Sequence, residues 1–141
     1  IIDINNLKTI NDTQGHAAGD DLLRRAGEVL GQLNGKGVTA MRIGGDEVAV
    51  FMPGANDEAR TNLLKNLQKL TDLNNQFYNG AQLQLAVGWS VSYEGERLED
   101  AIREADSRMY EEKRKFYARQ EFGDDDASTQ NTQTNSSVQQ S

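Results

Sequence analysis

Cysteine is missing from all 141 residues, and proline, histidine and tryptophan each occur once. Without thiols there is no disulfide framework, which fits a reducing, cytoplasmic setting. There is also no apolar run long enough to cross a membrane and no secretory leader, so no direct membrane contact is expected from this segment. Basic residues are in the minority: 15 Lys and Arg stand against 22 Asp and Glu, a net charge of −7. A general nucleic-acid binder carries basic clusters to track a phosphate backbone, and this balance argues against one. An initiator methionine is absent as well. The chain opens on what reads as the second half of a strand, and it is expected to be a fragment whose N-terminal part is missing.

What is present fits one soluble globular domain, with 36% hydrophobic and 26% charged residues. Ile1, Ile2 and Ile4 make a β-branched run that predicts a buried strand over 1–4. A polar loop follows. Leu22, Leu23, Ala26, Val29, Leu30 and Leu33 then recur at helical spacing, predicting an amphipathic helix over 20–33 that "GKG" at 35–37 ends. Met41 to Ile43 and Glu47 to Met52 read as the strands of a hairpin, stopped by Pro53-Gly54. A second helix is predicted over 56–78, a strand over 83–93 and a last helix from Leu98 to about residue 117. Residues 119–141 have few apolar side chains and no periodicity, and are expected to be a disordered polar tail. Strands alternating with helices, plus one hairpin, predict an α/β sandwich with a mixed sheet and flanking helices.

Two places carry unusual charge. "MRIGGDEVAVF", 41–51, sets Asp46 and Glu47 side by side on a turn, where Gly44 and Gly45 are read as supplying positive φ. Adjacent carboxylates repel unless solvent or a cation separates them, and the turn alone leaves both answers open. Asp3 lies inside an apolar strand, where a carboxylate needs a partner or a cation. If Asp3 and Asp46 lie on adjacent strands, they form the hard oxygen pair that Mg²⁺ prefers, phosphate oxygens and waters completing the shell. The other reading of Asp3 is an exposed strand-end residue.

"DINNLKTINDTQGHAAGDDLL", "RIGGDEVAVF" and "EADSRMYEEK", in that order over residues 1 to about 118, resemble the GGDEF family, the diguanylate cyclases that condense two GTP into cyclic di-GMP. The resemblance implies a nucleotidyl-cyclase or polymerase-palm-like fold. It implies that Asp3 and Asp46, with the Ile4 carbonyl, hold the metal (Mg²⁺ or Mn²⁺), and that Glu47 stands beside the reacting 3′-hydroxyl. Asn11 and Asp20 match the guanine readers, and an amide with a carboxylate offers donors and acceptors complementary to that base edge. Lys8 and Lys113 match basic residues near the phosphates, and Gly44 and Gly45 let nucleotide and metal approach the backbone. His16 has no place in that chemistry and is read as structural. Each domain binds one GTP, so ring closure implies a homodimer. The alternative is a non-catalytic GGDEF module that binds GTP or serves in regulation and dimerisation.

Some positions depart from the family pattern. Val48 replaces the usual phenylalanine, a loss of buried volume worth about 1–3 kcal/mol if unfilled. Phe116 and Tyr117 stand where a Gly-Arg pair commonly supplies a phosphate contact. Gly35 and Val38 occupy the places of the Arg-x-x-Asp pair through which cyclic di-GMP inhibits many members, so no inhibitory site of that kind is expected.

Overall fold

A computed structural model describes residues 1–133, with side-chain surroundings through residue 121. The elements are β1 (Ile2–Ile4), α1 (Leu7–Gln14), α2 (His16–Gly31), β2 (Thr39–Arg42), β3 (Glu47–Phe51), α3 (Asp57–Phe77), β4 (Leu85–Val87) and α4 (Leu98–Gln133). The strand order is β2-β3-β1-β4.

Every described pairing in this sheet is antiparallel, so the α/β sandwich stands but the sheet is not mixed. The reason lies in the connections. Each helical crossover skips one strand, so β1 and β2, or β3 and β4, never become neighbours. Ile2 and Ile4 project from one face of β1 into a core built with Leu22, Ala26, Val29 and Leu30 of α2 and Leu67 of α3. Because side chains alternate along a strand, Asp3 must point to the other face.

α1 occupies the segment expected to be a polar loop. It begins after Asn6, whose φ of 64° is the left-handed conformation that asparagine tolerates. It ends at Gly15, whose φ of 91° and ψ of 163° belong to glycine, and α2 starts at the next residue. The only apolar signal of this helix is Leu7 and Ile10, both partly buried against the core.

The hairpin forms as expected, but not for the expected reason. Gly44 and Gly45 are absent from the positive-φ residues; positive φ falls instead in a separate tight turn before β2, Gly35 to Val38, with φ of 109° at Gly35, 52° at Lys36 and 80° at Gly37. At the signature turn, Ile43 N–H and Gly44 N–H both donate to the Glu47 carbonyl, and the Arg42 guanidinium donates to the Gly44 carbonyl at 2.9 Å.

β4 is three residues long rather than spanning 83–93. It pairs only with β1, and the ladder's last exchange is between Ile1 and Gly88. α4 crosses at Gly88 so closely that a Cβ there would lie 2.1 Å from the Ala105 carbonyl oxygen and from Met109 N. α4 continues past residue 117 to Gln133, into the stretch expected to be disordered; the remainder of that stretch, 134–141, lies outside the described residues.

Arg25 is a core feature that helical periodicity did not reveal. It is 1% exposed and donates to Asn74 Oδ1 at 2.9 Å, the Ala81 carbonyl at 2.6 Å and Asn75 Oδ1 at 2.8 Å. These bonds tie α2 to the end of α3 and to the segment before β4. A buried charge is tolerated here because neutral acceptors surround its planar fork.

Candidate active site

Antiparallel register sets Asp3 directly opposite Glu47. Like charges in that position destabilise a sheet. Asp46, the residue before, adds a further carboxylate at the same strand ends, and its charge is felt by both Asp3 and Glu47. Among the described side chains, Lys113 of α4 is the cation in contact with them: its Nζ lies 3.0 Å from Asp3 Oδ2, both side chains being mostly buried. The other carboxylate oxygen, Asp3 Oδ1, accepts the Ile4 N–H at 2.7 Å.

The electrostatics follow from this crowding. Burial pushes the Asp3 carboxyl above its ordinary value; Lys113 pulls it down and Asp46 pushes it further up. Burial also raises Glu47, with Asp106 the next cause, followed by Asp3 and Asp46. Asp106 is the member of this group that sequence reasoning missed. Its signal was available, for Asp106 precedes Lys113 by two helical turns and so shares its face of α4.

Asn11 and Asp20 form a second group. α1 packs on α2 so that the Asn11 carboxamide lies against Gly19, where a Cβ would fall 1.7 Å from Asn11 Oδ1. That oxygen is buried and accepts no hydrogen bond among the described residues. Asp20 follows Gly19 and is exposed, as is Lys8 on α1. Ile4 keeps its side chain in the core, which leaves only its backbone to face the acidic group. Gly44 and Gly45 are exposed on the turn. His16, the first residue of α2, is exposed and makes no side-chain hydrogen bond among the described residues.

The start of α1 completes the site. Asn6 makes no side-chain cap, so the first N–H groups of the helix have no capping side chain, and α1 begins four residues after Asp3. Between α2 and the hairpin runs a cleft of about 210 Å³, lined by Leu23, Gly27, Gly31, Asp46, Glu47 and Val48 among others. Val48, half-buried on its wall, leaves open the volume that a larger side chain would take.

Among the described residues no three Asp, Glu or His side chains form a ready-made metal cage. A hard cation of the Mg²⁺ type needs no such cage, since it takes one or two carboxylates and completes its shell with phosphate and water. The donors present, Asp3 and Asp46 with backbone oxygen at hand, fit that pattern.

The domain is an α/β sandwich with crowded carboxylates at the ends of β1 and β3. Residues 1–118 match the family model of the diguanylate cyclase GGDEF domain, and the chain belongs to that family. Diguanylate cyclase A of Treponema denticola is 31% identical over 116 residues, covering 80% of this chain and 31% of the relative. Diguanylate cyclase DgcN of Escherichia coli is 32% identical over 115 residues, covering 79% of this chain and 28% of the relative. The chain thus spans about a third of the length of these relatives. Among solved structures, the GGDEF domain of DgcB from Caulobacter crescentus, in complex with c-di-GMP, superposes with a TM-score of 0.71 at 25% identity, covering 80% of this chain and 69% of that one. The active GGEEF domain of a diguanylate cyclase from Vibrio cholerae gives 0.67 at 25% identity, covering 81% and 74%. The family's members are generally dependent on a divalent metal. No described helix is long and apolar enough to cross a membrane.

Proposed function

We propose that this chain is a catalytic diguanylate cyclase domain, condensing two GTP into cyclic di-GMP and two pyrophosphates in the cytoplasm. The observation that carries the proposal is the Asp3–Glu47 register, which holds like charges opposite each other with Asp46 alongside and a single lysine in answer. Such a group is costly in a fold and useful around a cation. Asp3, Asp46 and the Ile4 carbonyl would hold Mg²⁺ or Mn²⁺, which when bound lowers the pKa of the attacking hydroxyl and neutralises the leaving pyrophosphate.

The chain's own residues do the rest. Phosphates lie on the open start of α1, with Lys113 and Lys8 supplying positive charge. The buried, unpartnered amide of Asn11 and the carboxylate of Asp20 read the guanine edge, and they disfavour a base that leaves them unpaired. Gly44 and Gly45 keep the turn bare for close approach of the nucleotide. Glu47 stands where the 3′-oxygen of one GTP attacks the α-phosphate of the other. That step forms the new P–O bond as the bond to the β-phosphate oxygen breaks and pyrophosphate leaves. Two such steps close the ring, so two domains must face each other as a homodimer, each with its own GTP.

Product control through residues 35–38 is not part of this function. Gly35 has no side chain and Val38 no hydrogen-bonding group, so neither offers the planar donor or the carboxylate by which a cyclic dinucleotide is gripped. The test of the whole proposal is incubation with GTP and Mg²⁺ followed by mass spectrometry. Cyclic di-GMP is expected from the parent, and none from folded Asp46→Ala. GTP binding without product would instead make the chain a non-catalytic GGDEF module.

A further inference from the structure

Along β1 and β4, Ile1 exchanges both backbone hydrogen bonds with Gly88, and the Asn5 N–H donates to the Gln84 carbonyl at 2.8 Å. Antiparallel partners bond at every second residue, so Gln84, Ala86 and Gly88 turn their backbone groups toward β1, and Leu83, Leu85 and Val87 turn theirs outward. Leu83 is served. Asn75 Oδ1 accepts its N–H at 2.7 Å and Asn75 Nδ2 donates to its carbonyl at 2.9 Å, so one carboxamide takes the place of a neighbouring strand's peptide group. Arg25, donating to the same Oδ1 at 2.8 Å, fixes the way that amide faces. Leu85 and Val87 have no such partner among the described residues, and β4 is the last strand of the sheet on this side.

A cleft of about 720 Å³ runs along this bare edge, with Leu64 and Gln68 of α3 on one wall and Phe116 and Arg119 of α4 on the other. α4 stays helical past it and so adds no strand there. Asn5 lines the same cleft; it is 4% exposed, and its Oδ1 accepts no hydrogen bond among the described residues. Among the described residues of the lining, Asp72 and Arg119 carry the charge, and they cancel. Unpaired peptide groups two residues apart, in a slot of no net charge with apolar side chains on both walls, match an extended and uncharged backbone. A second copy cannot supply it from its own β4, which lies recessed between the same two helices.

We propose that the outer edge of β4 is a docking site for an extended, uncharged segment of a partner protein, which adds a strand to the sheet by bonding to the backbone of Leu85 and Val87. An apolar side chain of that segment seats against Leu64 and Phe116. The cleft shares no lining residue with the acidic group at the strand ends, and the proposal does not rest on the nucleotide reading.

The test is an NMR titration of the ¹⁵N-labelled chain with the capped peptide acetyl-Thr-Val-Thr-Val-Thr-amide, without nucleotide. The amides of Leu85 and Val87 are expected to shift and to exchange more slowly with solvent, while that of Leu83, already bonded to Asn75, changes little. A strand bonds its neighbour through every second residue, so N-methylation of both valines and N-methylation of the middle threonine should differ. One of the two peptides should bind about fivefold more weakly or worse, and the other like the parent peptide. Phe116→Ala should weaken the parent peptide as well. No shift at about 5 mM peptide, shifts that leave Leu85 and Val87 untouched, or equal losses for the two methylated peptides would each overturn the proposal. So would slow exchange of both amides in the free chain, which would show the edge already filled by the chain's own residues.

Discussion

Replacing Lys113 with methionine removes the one cation in contact with the acidic strand ends while keeping a side chain of similar length to pack beside them. In the parent, Lys113 Nζ lies 3.0 Å from Asp3 Oδ2, with the lysine side chain 18% and the aspartate 13% exposed. The variant leaves Asp3 with a single neutral donor, the Ile4 N–H, and opposite Glu47. Removing one partner of a fully buried pair costs about 3–5 kcal/mol. Residual water at both side chains, and the option of protonating Asp3, reduce that to about 2–3 kcal/mol here. At a urea m-value of about 1.5 kcal/mol/M, the unfolding midpoint should fall by about 1–2 M at pH 7 without divalent cation. Adding Asp3→Asn to the variant removes the orphaned charge and should recover most of the loss, a coupling that a double-mutant cycle measures. Mg²⁺ should stabilise Lys113→Met more than it stabilises the parent, because it meets a larger uncompensated charge. An unfolding midpoint equal to the parent's, or no recovery in the double variant, would refute the picture of Asp3 as a carboxylate held by lysine for want of a cation.

The raised carboxyls of Asp3 and Glu47 also set a pH dependence. Their ordinary values are 3.8 and 4.5, and the folded state holds these protons more tightly than the unfolded one. In metal-free buffer their contribution is therefore fully present below those ordinary values and is lost as pH rises through the folded values, the reverse of an ordinary salt-bridged acid; urea melts of the parent against Asp3→Asn/Glu47→Gln from below about pH 4 upward read it as a difference. Gly19→Ala should leave the fold intact yet lower discrimination between GTP and ATP about tenfold or more in competition binding, because its Cβ would stand 1.7 Å from Asn11 Oδ1 and evict that amide. Gly88→Ala meets backbone instead of a movable side chain, at 2.1 Å from Ala105 O and Met109 N, and should cost about 3 kcal/mol or more by chemical denaturation.

The parts of the fold that follow from burial were legible in the sequence. Ile2 and Ile4, the α2 stripe of Leu22, Ala26, Val29 and Leu30, and the hairpin all lie where periodicity put them. α1 was not, because a short helix with polar residues on most faces and only Leu7 and Ile10 packed inward carries little periodic signal. The antiparallel sheet was not either. Alternating strands and helices suggest parallel neighbours, and only the spatial order shows that each crossover skips a strand. Arg25 was hidden for a different reason: its acceptors on Asn74, Asn75 and Ala81 are supplied by a distant segment, and no local pattern announces them. The candidate site divides in the same way. Asp3, Asp46 and Glu47 stood out as charges in apolar or crowded places, and Asp106 was legible only by its helical spacing from Lys113, while the contact of Tyr117 with the β1–α1 turn depends on how α4 packs across the sheet.

That packing gives the site its physical logic. A strand pair with Asp3 facing Glu47 would be weak by itself, and β1 is only three residues long. Its hold comes from the opposite face, where Ile2 and Ile4 are each 3% exposed within the core. The alternation of one strand thus divides two tasks between odd and even residues. The apolar face anchors the strand, and the anchored strand holds a carboxylate against repulsion it could not otherwise withstand. α4 reaches the acidic face with a lysine and a tyrosine one turn apart, and so tempers the charge without covering it. Because Lys113 answers only one of the carboxylates, the charge on Glu47 and Asp46 is left without a side-chain cation in contact among the described residues, and that is the demand which the proposed cation would meet.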